Sequence, residues 1–328
     1  MRGQGSILDA IKDPELSAEI TLQPVRRYGV DAAVLYSDIV VPIHAIGFGM
    51  DITPGTGPVA PQPFRSAADL QRVRPFEPGL DAPYVAATVK ALVAELDVPL
   101  IAFAGAPFTV GSYVIEGRPS RTYQHAKALM HTDPTTWHDL LDRLASHAIA
   151  SIGSQLEAGA SAYQLFDSWT GALSRADYER FVQPHSARVF SEIANAYPDA
   201  PAIHFGVGCD HLLEAMYAAQ QATPHRVIGL DWRTPIDEAR RRLGPDTVVQ
   251  GNLDPALVLA GWDVTRDSAD AVLAANGGHP GHVFNLGHGV TPDLDPGILE
   301  QLVAYVHERT ADASTGTGVT SSAEAAPS

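Results

Sequence analysis

Seven short, almost uninterrupted apolar runs constrain this chain more than any other feature: Ala32–Tyr36, Leu100–Ala104, Ala162–Phe166, Ala202–Phe205, Val227–Leu230, Thr247–Gln250 and His282–Leu286. A strand with one wet face alternates apolar and polar residues. A continuous apolar run has both faces buried, as in a parallel sheet covered by helices. Helical periodicity fills most of the gaps. The clearest stretch runs from Pro134 to about Glu157, with Trp137, Leu140, Leu141, Leu144, Ala148, Ile152 and Leu156 on one stripe. Further helices are expected over Tyr84–Leu96, Asp177–Tyr197, Pro235–Leu243 and Pro296–Val306. Asp-Pro pairs at Asp13-Pro14, Asp133-Pro134, Asp254-Pro255 and Asp295-Pro296 read as helix starts. Aspartate accepts from the free N–H groups of the first turn, and proline at the first position has no donor to leave unpaired. Alternating strands and helices give an α/β fold. It is either an open doubly wound sheet or a closed barrel of eight strands with one strand unread.

The chain has 328 residues, 45% hydrophobic and 18% charged, enough apolar material for one large core. Its net charge of −16 argues against nucleic acid and anionic membranes as partners. An anionic substrate would have to be met by a few local arginines or helix N-termini. Cys209 is the only cysteine, so neither an internal disulfide nor a thiolate metal cluster can form. No run reaches membrane-spanning length and the first residues lack a signal-peptide core, so a cytoplasmic location is expected. The domain is expected to cover residues 1–310. The Ser/Thr/Ala/Gly-rich stretch 311–328 is expected to be a disordered tail, and Val41–Leu80, rich in Pro and Gly, a long excursion above the sheet.

Each apolar run ends in polar or glycine residues: Ser37-Asp38, Gly105-Ala106-Pro107, Asp167-Ser168, Gly206, Asp231-Trp232, Gly251-Asn252 and Gly287-His288-Gly289. Parallel α/β proteins bind ligands at this end, where the loops leaving the strands converge. Asp38 and His288, far apart in sequence, could therefore face one cavity. Each candidate has a structural alternative. Asp38 could cap the next segment, Ser168 a turn, and Asp254 a helix; Tyr113 could be a half-buried loop aromatic. His288 sits between two glycines, an awkward place for packing alone. Gly206-Val207-Gly208 lacks the third glycine of a dinucleotide loop, there is no Walker lysine motif, and His204 with Cys209 is a thin basis for zinc.

The segments TLQPVRRYGVDAAVLYSDIVVP, FAGAPFTVGSYVIEG, QLFDSW, GLDW, QGNLDP and FNLGHG, in this order and spacing, resemble the uroporphyrinogen decarboxylase family from about Arg2 to Thr310. The resemblance implies a (β/α)8 TIM-type barrel, a homodimer, that removes the four acetate carboxyls of uroporphyrinogen III with no metal or organic cofactor. It assigns Asp38 to the pyrrole N–H groups and Tyr113 to a place near that aspartate and the reacting acetate. Ser168, His288 and Arg2 would meet substrate carboxylates, and Phe166 would form an aromatic wall. The family pattern opens with a strand reading roughly Trp-x-Met-Arg-Gln-Ala-Gly-Arg, and this sequence starts after it. The expectation is therefore a barrel lacking its first strand, with a seam between the Ala32 and His282 runs, Met1 an internal position, and weak or no activity as written. Two other functions fit the same barrel less well. A zinc- and corrinoid-linked methyltransferase would need thiols that His204-Phe205-Gly206 and the sequence after Cys209 lack. A non-catalytic tetrapyrrole-binding protein is motivated by the missing arginines.

Overall fold

The computed structural model describes residues 6–315. All seven expected strands are present, as β1 Ala33–Val34, β2 Leu100–Gly105, β3 Ala162–Phe166, β4 Ala202–Phe205, β5 Arg226–Gly229, β6 Val248–Leu253 and β7 His282–Leu286. They form one parallel sheet in chain order, each strand paired with the next, from Ala33 opposite Leu100 to Leu253 opposite Leu286. Parallel neighbours need a crossover, and helices supply it. They are α1 Pro14–Tyr28, ahead of β1, then α2 Pro83–Val93, α3 Pro107–Glu116, α4 Pro134–Glu157, α5 Gln183–Ala196, α6 Leu213–Ala219, α7 Ile236–Leu243, α8 Trp262–Asn276 and α9 Pro296–Thr315.

The helical ring closes where the strand ring does not. The last helix, α9, packs on the first, α1, and His307 Nε2 lies 2.9 Å from the Asp31 carboxylate. Between them the outer edges of β1 and β7 pair with no strand among the described residues. Val34 (51% exposed) and Val283 (47%) stand open there, apolar side chains that a neighbouring strand would cover. The seam expected between these two runs is thus a feature of the sheet.

The four Asp-Pro starts behave as read. Asp13, Asp133, Asp254 and Asp295 each accept a backbone N–H two or three residues on. The stripe on α4 is the spine of the core: Trp137, Leu140, Leu141 and Ile152 are fully buried, and the Trp137 indole donates to the Phe181 carbonyl at 2.9 Å. Each such side chain contributes roughly 1.5–3 kcal/mol of burial.

Three expectations change. The run Ala32–Tyr36 is a strand only at Ala33–Val34, because α1 captures its end: Ser17 Oγ donates to the Tyr36 carbonyl (2.7 Å) and the Tyr36 N–H donates to Thr21 Oγ1 (2.9 Å). The stretch Asp177–Tyr197 is not one helix but Arg175–Phe181 and α5, broken at Val182; Pro184 has no N–H to continue the ladder. The excursion Val41–Leu80 has regular structure of its own. It holds a helical turn (Val41–Ala45), a hairpin of Asp51–Thr53 with Gly57–Val59, and a 3-10 helix (Ala67–Arg72). Finally, α9 continues to Thr315, past the expected helix end at Val306, and 316–328 of the expected tail lie outside the described residues.

Three of these helices escaped the sequence reading, α3, α6 and α8. In α3 every residue from Pro107 to Ile115 is buried, so no apolar stripe stands out against a polar face.

Candidate active site

Two cavities of 570 Å³ lie at the sheet. One opens at the amino ends of β5 and β6, around Arg226 and Val248. The other runs along β1 to the carboxyl end of the sheet, where Asp38, Phe166 and Ser168 line it together with Phe103. Carboxyl strand ends are where barrels of this kind carry chemistry, and only the second cavity holds the polar residues read from those ends.

Asp38 arrives there because β1 stops early. Once α1 has captured Tyr36, Ser37 and Asp38 turn across the end of the sheet. The turn fits because Gly105, at the end of β2, has no side chain: a Cβ there would stand 2.6 Å from Val110 Cγ2 and 2.9 Å from Ile39 Cβ. The early stop also leaves the Phe103 backbone without a strand neighbour on that edge, since Ile101, two residues before it, bonds to Leu35 on the same side. Gln155 from α4 takes the vacant place, accepting from Phe103 N–H (3.1 Å) and donating to its carbonyl (2.9 Å).

The Asp38 carboxylate accepts the Val40 N–H at 2.9 Å. This bond closes the turn leading into Val41–Ala45, whose N-cap is Val40 with no side-chain cap, and it uses only one lone pair. Burial raises the Asp38 pKa above the ordinary carboxyl value, and the Val40 N–H only partly opposes it. Tyr113 lies on α3, nearly buried. Desolvation pushes its phenol up to about 12; a hydrogen bond with the Trp169 side chain lowers it and the nearby Asp38 charge raises it further. Tyr36 responds to the same two influences, desolvation first and then Asp38. Asp38, Tyr113 and Tyr36 thus share one electrostatic neighbourhood.

Phe166 lines the cavity, edge-on to Phe103 (ring centroids 5.4 Å apart) and to Phe205 (6.1 Å). The Ser168 hydroxyl makes no hydrogen bond to another described residue, so the turn-capping alternative for it is not realised. His288 is exposed beyond the end of β7, apart from the groove lining. Arg2 lies outside the described residues. Sequence reasoning missed Tyr36, Phe103 and Trp169. Trp169 sits in the motif that carries Ser168, and its ring packs against Tyr113 (6.0 Å) and Tyr123 (6.1 Å).

Among the described residues no group of three or more His, Cys, Asp and Glu side chains is arranged to hold a metal ion. The Cys209 thiol is buried and lies 3.6 Å from Thr170 Oγ1. No described helix is long and apolar enough to cross a membrane.

Comparison with known proteins places this geometry in context. A methyltransferase from Methanosarcina mazei shares the fold, with a TM-score of 0.74 at 17% identity over 92% of this chain and 87% of that one. In sequence, the uroporphyrinogen decarboxylase of Salinispora tropica is 54% identical over 312 residues, which is 95% of this chain and 82% of the relative. That of Streptomyces coelicolor is 55% identical over 305 residues, 93% and 84%. The family model described as uroporphyrinogen decarboxylase (URO-D) matches residues 1–309. On this likeness over nearly its whole length, the chain belongs to the uroporphyrinogen decarboxylase family.

Proposed function

We propose that this protein removes the carboxyl groups of the four acetate side chains of uroporphyrinogen III, giving coproporphyrinogen III and carbon dioxide in tetrapyrrole synthesis. The observation that carries the reading is the Asp38 carboxylate, held at a strand end by one backbone N–H and otherwise turned to an aromatic-walled groove. A reduced tetrapyrrole is flexible and can dome so that its four N–H donors point one way. A carboxylate has about four acceptor sites, and Val40 occupies one. Burial disfavours the charge on Asp38 in the free protein; pyrrole N–H donors sharing the three remaining sites would restore it.

Decarboxylation needs an electron sink. Protonation of a pyrrole ring carbon places positive charge on that ring's nitrogen. The bond to the acetate carboxylate then breaks, its electron pair neutralises the cation, and carbon dioxide leaves. Protonation of the exocyclic carbon and loss of the ring proton restore the pyrrole with a methyl group, so one proton replaces each carbon dioxide. Asp38 beside the nitrogen stabilises the charge as it forms. The sink belongs to the substrate, so the reading calls for no cofactor.

Tyr113 supports Asp38 and the reacting acetate, Phe166 flanks the macrocycle, and Ser168, His288 and Arg2 meet peripheral carboxylates. The family likeness supports a cytoplasmic homodimer. The test is anaerobic incubation with uroporphyrinogen III. Four equivalents of carbon dioxide with matching coproporphyrinogen are expected; binding without release would favour a tetrapyrrole-binding protein instead.

A further inference from the structure

Behind the groove lies a fully buried polar chain that the reaction above does not use. Thr109, Asp167 and His204 are each 0% exposed. Thr109 stands one helical turn before Tyr113 on α3, on the same face. Asp167 immediately precedes Ser168 at the end of β3, and His204 lies within β4. Thr109 Oγ1 donates to Asp167 Oδ1 (3.1 Å) and accepts from the Trp169 N–H (3.3 Å), so both roles of one hydroxyl are committed. The other carboxylate oxygen, Asp167 Oδ2, lies 3.5 Å from His204 Nε2, and neither atom has a hydrogen-bond partner among the described residues.

The imidazole is oriented from its far side. His204 Nδ1 lies 3.2 Å from the Met216 carbonyl, which can only accept, so Nδ1 carries a proton. Phe190 packs on the ring, the two centroids 5.0 Å apart.

We infer that Thr109, Asp167 and His204 form a positioning device that fixes Tyr113 and Trp169 on one side of the site relative to Ser168 on the other. The device links three elements, α3, β3 and β4, by side chains alone. The Thr109 hydroxyl is its hinge, because it joins the helix that carries Tyr113 to the turn that carries Ser168 and Trp169. None of the three touches the groove, so they act through their neighbours. The inference rests on the proposed roles of Asp38, Tyr113 and Ser168.

The test compares Thr109→Val, which keeps the shape and removes the hydroxyl, with Thr109→Ser, which keeps the hydroxyl, in uroporphyrinogen decarboxylation well below the melting temperature. T109V is expected to lower kcat on the order of tenfold or more with KM within about twofold, and T109S to restore most of the rate. A T109V protein that melts earlier but turns over at the parental rate, beside an inactive Asp38→Asn protein, overturns the positioning role alone. A fully active D38N protein overturns the site reading instead.

Discussion

Asp38 and Val40 form a tight local pair, the carboxylate accepting the backbone N–H two residues on at 2.9 Å. An asparagine can accept that same N–H through its amide oxygen, so the turn should survive Asp38→Asn while the negative charge is lost. Under the proposed mechanism the variant loses the group that stabilises the pyrrole cation. A fall in kcat of about 100- to 1,000-fold is expected, the range for removing one preorganised electrostatic contact. Steady-state decarboxylation with a circular dichroism spectrum as the control for folding checks it, and a parental rate in D38N would refute the mechanism.

The same substitution makes a prediction about stability. Burial raises the folded-state pKa of Asp38 above its ordinary value, so folding favours the protonated side chain. That preference contributes stability fully below the unfolded-state pKa of about 3.9 and loses it as pH rises through the raised folded-state value. At neutral pH the ionised carboxylate is then a net cost, which asparagine removes. D38N is expected to melt higher than the parent at pH 7.5, with the advantage shrinking as the pH is lowered toward 4. Paired thermal melts at both ends of that window decide it; a D38N protein that melts lower at pH 7.5 contradicts the desolvation argument.

The strands and the end of the sheet that carries the site were legible because burial on two faces writes itself as continuous apolar runs. Asp38 and Ser168 could be placed by the simple fact that those runs end in them. What decides the shape of the site was not legible. β1 ends at Val34 because Ser17 and Thr21, on a helix ahead of it, bond to the Tyr36 backbone. Phe103 is completed by Gln155, 52 residues away. Such bonds between distant side chains and backbone leave no periodic trace. Nor does α3, whose uniformly buried face hides the helix on which Tyr113 rides. Asp167 was read as part of a polar strand end, whereas its partners His204 and Thr109 lie in other elements and only the fold brings them together.

Cys209 should be chemically silent in the folded protein. Desolvation, aided by the Asp167 and Asp231 carboxylates, pushes its thiol up to about 12, against a smaller opposing hydrogen bond with Thr170. At pH 8 the reactive thiolate fraction is then on the order of 1 in 10,000, and access is closed as well. Iodoacetamide at pH 8 followed by mass spectrometry is expected to find no adduct on native protein within an hour and one adduct after denaturation. Native labelling as fast as in denaturant would show that this part of the core opens.

The open seam should be visible in hydrogen exchange at β1. The Ala33 and Leu35 N–H groups donate to Pro99, just ahead of β2, and to Ile101 on β2, at 2.9 and 3.3 Å. Parallel ladders alternate, so the Val34 N–H between them points to the unpaired edge, where no described residue accepts it. Val34 is expected to exchange on the order of a hundred times faster than either neighbour, measured residue by residue by NMR. Equal protection of all three amides would mean that the edge is covered in solution.

Two glycines flank His288, and they should respond oppositely to the same added methyl group. At Gly287 a Cβ would stand 2.6 Å from the Trp232 backbone nitrogen and 3.2 Å from the Asp231 carbonyl carbon, atoms that cannot swing aside as a side chain can. At Gly289 a Cβ would meet nothing within 4 Å. Gly287→Ala must therefore push the end of β7 away from the end of β5, at about 1–3 kcal/mol, whereas Gly289→Ala should fall within about 0.5 kcal/mol of the parent. His288 follows immediately on the displaced residue. If it meets a substrate carboxylate, G287A should also raise KM for uroporphyrinogen while G289A leaves it unchanged. Denaturant melts and steady-state kinetics on the pair separate the two effects. A destabilised G287A protein with parental KM would keep the packing argument and remove His288 from the substrate.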